Sequence, residues 1–144
     1  MSDAEIAAFL EEERTVICAT IGRDGFAHLM PLWYVMRGDE VWSWTFAKSQ
    51  KVRNLEREPR ATLQVEAGEE YQELRGVMFE CDVELERDPG RVERFGIELF
   101  ERFVPEITDD IRAMIGKQAP KRVGLTFVPT RTVTWDHRKL GGVY

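Results

Sequence analysis

The chain has 144 residues, 43% hydrophobic and 32% charged, which bounds it to one ordinary globular domain, residues 1–144, and excludes a disordered chain. Its net charge of −6 excludes whole-molecule attraction to nucleic acid or to an anionic membrane, so any anion site must be a local exception. The two cysteines, Cys18 and Cys81, stand in separate apolar runs without CxxC or Cys/His ligand spacing; this argues against a metal site and for buried free thiols in a reducing, cytoplasmic setting.

Ser2-Asp3-Ala4-Glu5 forms a capping-box signature and opens a helix to about Glu13, with Ile6, Ala7, Phe9 and Leu10 as its apolar stripe. Its start is not the basic-then-apolar pattern of a secretory leader, and no apolar run has the roughly 18 residues of a membrane helix. Thr15–Ile21 is a β-branched strand, closed by the turn signal Gly22-Arg23-Asp24-Gly25. Residues 26–36 continue as a long second strand, Gly38-Asp39 turns the chain, and Glu40–Phe46 returns as a third. The second strand lacks polar alternation, so it demands burial on both faces; a homodimer interface would cover one of them. Residues 48–58 have helical character and end at Pro59. Two further strands follow at 60–66 and 77–86, then helices at 89–104 and 108–117, then strands at 122–128 and 132–137 around Pro129. Six or seven antiparallel strands with flanking helices predict a closed or partly closed barrel.

One segment carries unusual chemistry. Phe46-Ala47-Lys48-Ser49-Gln50-Lys51-Val52-Arg53-Asn54 leaves a strand and starts a helix, with Lys48, Lys51 and Asn54 three residues apart and Ser49 offering a hydroxyl. Residues 48–60 hold five basic and two acidic side chains, +3 on a chain of −6. A helix start favours negative charge, so lysines there call for an anion such as a phosphate between them; a solvated basic face is the alternative. Pro31-Leu32-Trp33-Tyr34 and the neighbouring Trp42, Trp44 and Phe46 could bound a planar ring or simply form an aromatic core. The tail from Trp135 through Arg138 and Lys139 could cover a bound cofactor or be a frayed basic end. His28, in a strand, is expected to be packed and hydrogen-bonded. There is no GxGxxG, P-loop or HExxH, and no nucleophile elbow. That absence suits a reaction whose chemistry a cofactor carries.

These blocks, in this order, resemble the pyridoxamine 5′-phosphate oxidase-like split β-barrel family, and within it the actinobacterial flavin/deazaflavin branch that uses coenzyme F420. The carriers are ATIGRDGFAH, PLWYV, FAKSQKVRNLEREPRATL, LRGVMFECDVEL and TWDHRKLGG. The resemblance implies a mainly β, six- to seven-stranded antiparallel split barrel that works as a homodimeric oxidoreductase on a small unsaturated or aromatic substrate. F420 is the implied cofactor and FMN the alternative; a non-catalytic carrier of flavin or tetrapyrrole is a further alternative on the same fold. Lys48, Ser49, Lys51 and Asn54 would hold the phosphate. Pro31, Leu32 and Trp33, with Trp44, Thr45, Phe46 and Ala47, would line the ring. Trp135, Arg138 and Lys139 would approach from the partner chain. The arginine-and-leucine C-terminal signature of true pyridoxamine 5′-phosphate oxidases is missing.

Overall fold

The computed structural model describes residues 1–142; Val143 and Tyr144, the end of the expected domain, lie outside the described residues. The elements run α1 (Asp3–Glu12), β1 (Thr15–Ile21), β2 (Ala27–Trp33), β3 (Val35–Arg37), β4 (Glu40–Phe46), α2 (Gln50–Arg57), β5 (Arg60–Ala67), β6 (Arg75–Glu86), α3 (Pro89–Phe103), α4 (Asp109–Gln118) and β7 (Arg122–Asp136). The capping box at α1 forms as expected: Glu5 N–H donates to Ser2 Oγ at 3.2 Å and Ser2 N–H to Glu5 Oε2 at 2.6 Å. No described helix is long and apolar enough to cross a membrane.

The strands make one antiparallel sheet of seven in the order β2-β1-β5-β6-β7-β4-β3. The predicted long second strand is in fact two, β2 and β3, and they occupy the two opposite edges of that sheet. A single residue, Tyr34, joins them. One residue spans about 3.3–3.6 Å at most, so the sheet must curl until its edges meet at Tyr34. That closure makes the barrel, and its two edges remain unpaired with each other on either side of the crossing. The apolar run at 29–36 thus serves two edge strands instead of one strand buried on both faces. In this chain β2 is mostly exposed, with Leu29 at 60% and Trp33 at 47%. The predicted pair of closing strands is likewise one continuous β7, with a register shift between Glu80 and Cys81 where Thr130, next to Pro129, is left out of the pairing.

The crossing is held by polar contacts that the strand pattern does not announce. Tyr34 is fully buried; its hydroxyl donates to Leu10 O at 2.6 Å and lies 3.1 Å from Glu13 O, past the end of α1. Arg102, from the last turn of α3, places its guanidinium 4.6 Å from the Tyr34 ring centroid. It donates to Tyr34 O at 2.6 Å and to the carbonyls of Leu10, Glu11 and Glu13. Those are the carbonyls a helix C-terminus leaves unpaired, and a cation is favoured there. One side chain therefore ties α1, α3 and the edge-to-edge crossing together.

Inside the curl lie Val16, Cys18, Leu63, Val77, Leu125 and Phe127, with Phe9 and Leu10 of α1 closing one end. Burial pushes both thiols, Cys18 and Cys81, up to about 12, as suits unreactive core cysteines. On the outer face of β4, Trp42 stacks on Phe95 of α3 at 4.2 Å, and Trp44 meets Phe100 edge-on. Gly96 allows this approach, because a Cβ there would sit 2.4 Å from Trp44 Cζ3.

If Arg102 and Tyr34 hold the crossing, truncating either should cost more than its apolar contact area suggests. Arg102→Ala leaves buried carbonyls without donors and is expected to lower unfolding free energy by about 2–4 kcal/mol. Tyr34→Phe should cost about 1–2 kcal/mol. Urea unfolding followed by tryptophan fluorescence checks both; unchanged midpoints would show that the crossing is held some other way.

Candidate functional site

The segment singled out by charge folds into α2, but two residues later than its sequence suggests. Ser49 is the N-cap, accepting a hydrogen bond from Val52 N–H at 3.3 Å, so Lys48 precedes the helix and is exposed. The helix turns Val52 and Leu55 into the barrel, and the same side carries Lys51 and Asn54. These two do not line an open, solvated basic face, the alternative reading of the segment. Lys51 is only 4% exposed and Asn54 is fully buried. Lys51 Nζ donates to Thr45 Oγ1 at 3.0 Å, and Asn54 Nδ2 donates to Thr20 Oγ1 at 3.1 Å. Gln50 Nε2 donates to Asn54 Oδ1 at 2.9 Å. The result is a polar cluster of Thr20, Thr45, Gln50, Lys51 and Asn54 plugging one end of an otherwise apolar barrel.

Lys51 is the anomaly in that cluster. No described carboxylate forms an ion pair with it. Its ammonium has three donors, one of which is used. Burial therefore draws its pKa below the usual lysine value, with only the Cys18 thiol acting in the other direction. A buried cation without an anion is costly, and structures retain one where something else supplies the charge. The start of α2 adds unpaired backbone N–H groups at the same place. Ser49 can contribute as well, since a hydroxyl that accepts from Val52 N–H keeps its own proton to donate.

Strand alternation divides the expected ring-lining residues. Thr45 faces inward to Lys51, whereas Trp44 and Phe46 face outward, with the Arg122 guanidinium over both rings at 4.9 and 4.7 Å. Ala47 is half-buried against the core. On β2, Leu32 lies opposite Val16 on the inner face, while Pro31 and Trp33 point to the other face. Trp33 stacks on Phe103 of α3 at 4.3 Å. Within one chain, then, these residues do not share one wall.

The tail is separate again. Trp135 lies over Gly76, where a Cβ would sit 2.2 Å from its ring, and Arg138 forms a bidentate pair with Asp136 at 2.7 and 2.8 Å. That pair holds the Asp136 carboxyl down at about 2. Lys139 binds Glu5 of α1 at 2.7 Å. Trp135, Arg138 and Lys139 thus sit by the far end of the 15-residue β7, whose first residue, Arg122, pairs with Phe46 beside α2. A single chain does not bring the tail to Lys48 and Lys51.

His28 corrects another expectation. It stands opposite Thr20 on the inner face of β2, and neither ring nitrogen has a hydrogen-bond partner among the described residues. Its ring lines a cavity of about 520 Å³ between the β1–β2 turn and α2, together with Phe26, Gln50 and Asn54. Sequence reasoning also missed Thr20 and Gln50. Thr20 is one β-branched residue in a β-branched strand, and only the packing of α2 on β1 gives it a role.

A curled antiparallel sheet of seven strands with flanking helices, plugged by a helix start that carries a buried cation, defines a split-barrel protein. A family model described as pyridoxamine 5′-phosphate oxidase matches residues 2–136, and the chain belongs to that family. At family level this means a fold of flavin-binding oxidoreductases. Among solved structures, the conserved hypothetical protein Rv2991 from Mycobacterium tuberculosis is 44% identical, covering 100% of this chain and 90% of its own, with a TM-score of 0.90. An F420 reductase aligns at 22% identity and TM-score 0.67, over 88% of this chain and 94% of its own. The heme storage protein HutZ from Vibrio cholerae aligns at 18% identity and TM-score 0.72, over 93% of each chain. The last two likenesses are of fold alone. No curated protein matches the chain.

A buried, unpaired ammonium should act against folding in the ligand-free protein. Because its folded pKa lies below the unfolded value of 10.5, the unfolded chain binds more protons between the two, and stability rises with pH through that window. Lys51→Met is accordingly expected to raise the melting temperature near pH 7.5, with a gain that shrinks as pH approaches 10.5. A loss of stability at pH 7.5 would instead make Lys51 a structural residue.

Proposed function

We propose that the chain is an oxidoreductase that binds coenzyme F420, with FMN as the alternative, and passes hydride to a small unsaturated or aromatic molecule. The single observation that carries this reading is the Lys51 ammonium, buried at a helix start with no carboxylate to neutralise it. Those residues fit a phosphate. Lys51 and Lys48 supply charge, Ser49 a hydroxyl proton, and the first turn of α2 its backbone N–H groups. Asn54 and Thr20 hold the helix against β1 and so fix where these donors point. When bound, the cofactor's ring supplies the hydride chemistry. The family assignment and the likeness of fold to an F420 reductase support the same reading.

The reading includes a homodimer. Apolar side chains stand in solvent along β2 and nearby, with Phe26 at 76%, Leu29 at 60%, Phe46 at 49% and Trp33 at 47% exposed. Large apolar side chains exposed in this way suit a permanent interface. A second copy would also provide what one chain lacks, a tail such as Trp135 to Lys139 beside α2.

Fluorescence titration of the cofactor-free protein tests the site. Saturable binding of F420, weaker binding of FMN, and a loss of about tenfold or more in Lys51→Ala are expected, the equivalent of roughly 1.5–3 kcal/mol for a charge-assisted contact. Stronger FMN binding would move the protein to the flavin alternative, and binding unaffected by Lys51→Ala would remove the phosphate assignment. Light scattering on a sizing column tests the assembly: wild type should run as a dimer and Leu29→Arg as a folded monomer, and a monomeric wild type would refute it.

A further inference from the structure

The strand pairing leaves a third edge open besides those of β2 and β3. β4 accompanies β7 only from Arg122 to Phe127, while β6 follows β7 on its other side as far as Asp136. Residues 129–136 therefore have a strand partner on one side alone. No described residue hydrogen-bonds their backbone on the open side. Backbone N–H and C=O groups left in that state are a template for a further strand. The other two edges are blunted, since β2 carries Pro31 and β3 is three residues long. The open stretch of β7 has its proline at the start, at Pro129, and β-branched residues at Thr130, Thr132, Val133 and Thr134.

A cavity of about 840 Å³ lies along this edge, between β7, α1 and the β3–β4 turn at Gly38-Asp39. That volume is toward the upper end of the range of ligand pockets, about 300–1,000 Å³. Thr132 and Thr134 of the open stretch line one side of it. Ile6 and Leu10 of α1, with Met36 and Phe79, give it an apolar lining.

The charged groups of the cavity are one-sided. Asp3 and Glu11 of α1 and Asp39 of the turn line it, and none of the three takes part in an ion pair among the described residues. The cation that lines it, the Met1 ammonium, donates to Thr134 Oγ1 at 3.1 Å. An open strand edge, an apolar lining and a negative rim thus meet in one slot.

We propose that this slot takes an extended peptide segment of another protein as an added strand on β7, with basic and apolar side chains alternating along it. The peptide's main chain pairs with residues 129–136. Its apolar side chains, at every second position, enter the lining of Ile6, Leu10, Met36 and Phe79, and its basic ones reach Asp3, Glu11 and Asp39. Main-chain pairing supplies affinity, and the rim charges select the sign of the partner. A second copy of this chain fits the slot poorly: its own edge strands, β2 and β3, hold Arg37 as their one permanent cation, and Glu98 already pairs with it at 3.2 Å. The slot lies at the α1 end of the barrel, away from Lys51, and is independent of the cofactor reading.

Fluorescence anisotropy of the full-length protein tests this with three labelled probes: an alternating Lys-Val octapeptide, the same peptide N-methylated at every residue, and an alternating Glu-Val octapeptide. Saturable binding of the Lys-Val peptide is expected, at least tenfold tighter than either of the others. Joint Glu11→Lys and Asp39→Lys substitution should weaken it by about three- to tenfold, the range of two exposed ion pairs, with the melting temperature unchanged. Asp39→Lys alone, on an exposed turn, repeats the charge test with a smaller loss should the double variant melt low. Hydrogen exchange of the amides within residues 130–136 should slow when the Lys-Val peptide binds. Equal binding of the N-methylated peptide would overturn strand addition, and equal binding of the Glu-Val peptide would overturn the charge selection. Absence of saturable binding, or protection confined to other strands, would overturn the proposal as a whole. So would 130–136 amides already protected on both sides in the free protein, the sign of a second copy on the edge.

Discussion

The fold depends on closing a sheet at one residue. β2 and β3 are adjacent in sequence and at opposite edges in space, so the whole curl converges on Tyr34. An extended chain cannot make that passage through a core without unpaired backbone carbonyls. Arg102 supplies the donors, and because its other bonds go to the end of α1, the same guanidinium docks the helix that caps the barrel. Everything the site requires follows from this closure. With the sheet curled, β1 and β4 lie close enough for α2 to reach Thr20 on one and Thr45 on the other.

That geometry explains why a basic residue is buried at all. The apolar core fills the barrel from α1 toward α2 and stops at Val52 and Leu55. Beyond them the interior is polar, and its charge is one-sided. In a stable core such a cation would be paired or replaced by an apolar residue of similar volume. Its retention beside neutral hydrogen-bonding groups sets stability against the phosphate binding proposed above.

The split also separates the parts of the site. Strand alternation puts Thr45 and Lys51 inside while Trp44 is outside against Phe100 of α3 and Phe46 is outside beneath the Arg122 guanidinium, and β7 carries the tail away from α2. The exposed apolar surface of β2 lies between these parts. The homodimer proposed above would bring these separated parts together.

Much of this was legible in the residues. The capping box, the turn glycines, the β-branched runs and Pro59 placed the elements to within a few positions, because each rests on local backbone chemistry. The Lys51 segment declared itself by charge against an acidic chain. What the residues could not declare was where the apolar run at 29–36 breaks. Tyr34 looks like one more strand residue, and its role depends on Arg102, which is 68 positions away. Nor could spacing tell an outward basic face from an inward one: Lys51 and Asn54 face the core because Thr45 and Thr20 are there to receive them. His28 stands apart from both cases, since its lack of partners is a property of the space around it. Sequence by itself determined most of the elements, the family and the segment that carries charge, but not the division of residues 26–36 into two edge strands or the continuity of β7. Only the tertiary structure decided which side chains are sealed, which are paired and which are left without a partner, because those depend on strands far apart in the chain meeting around one curl.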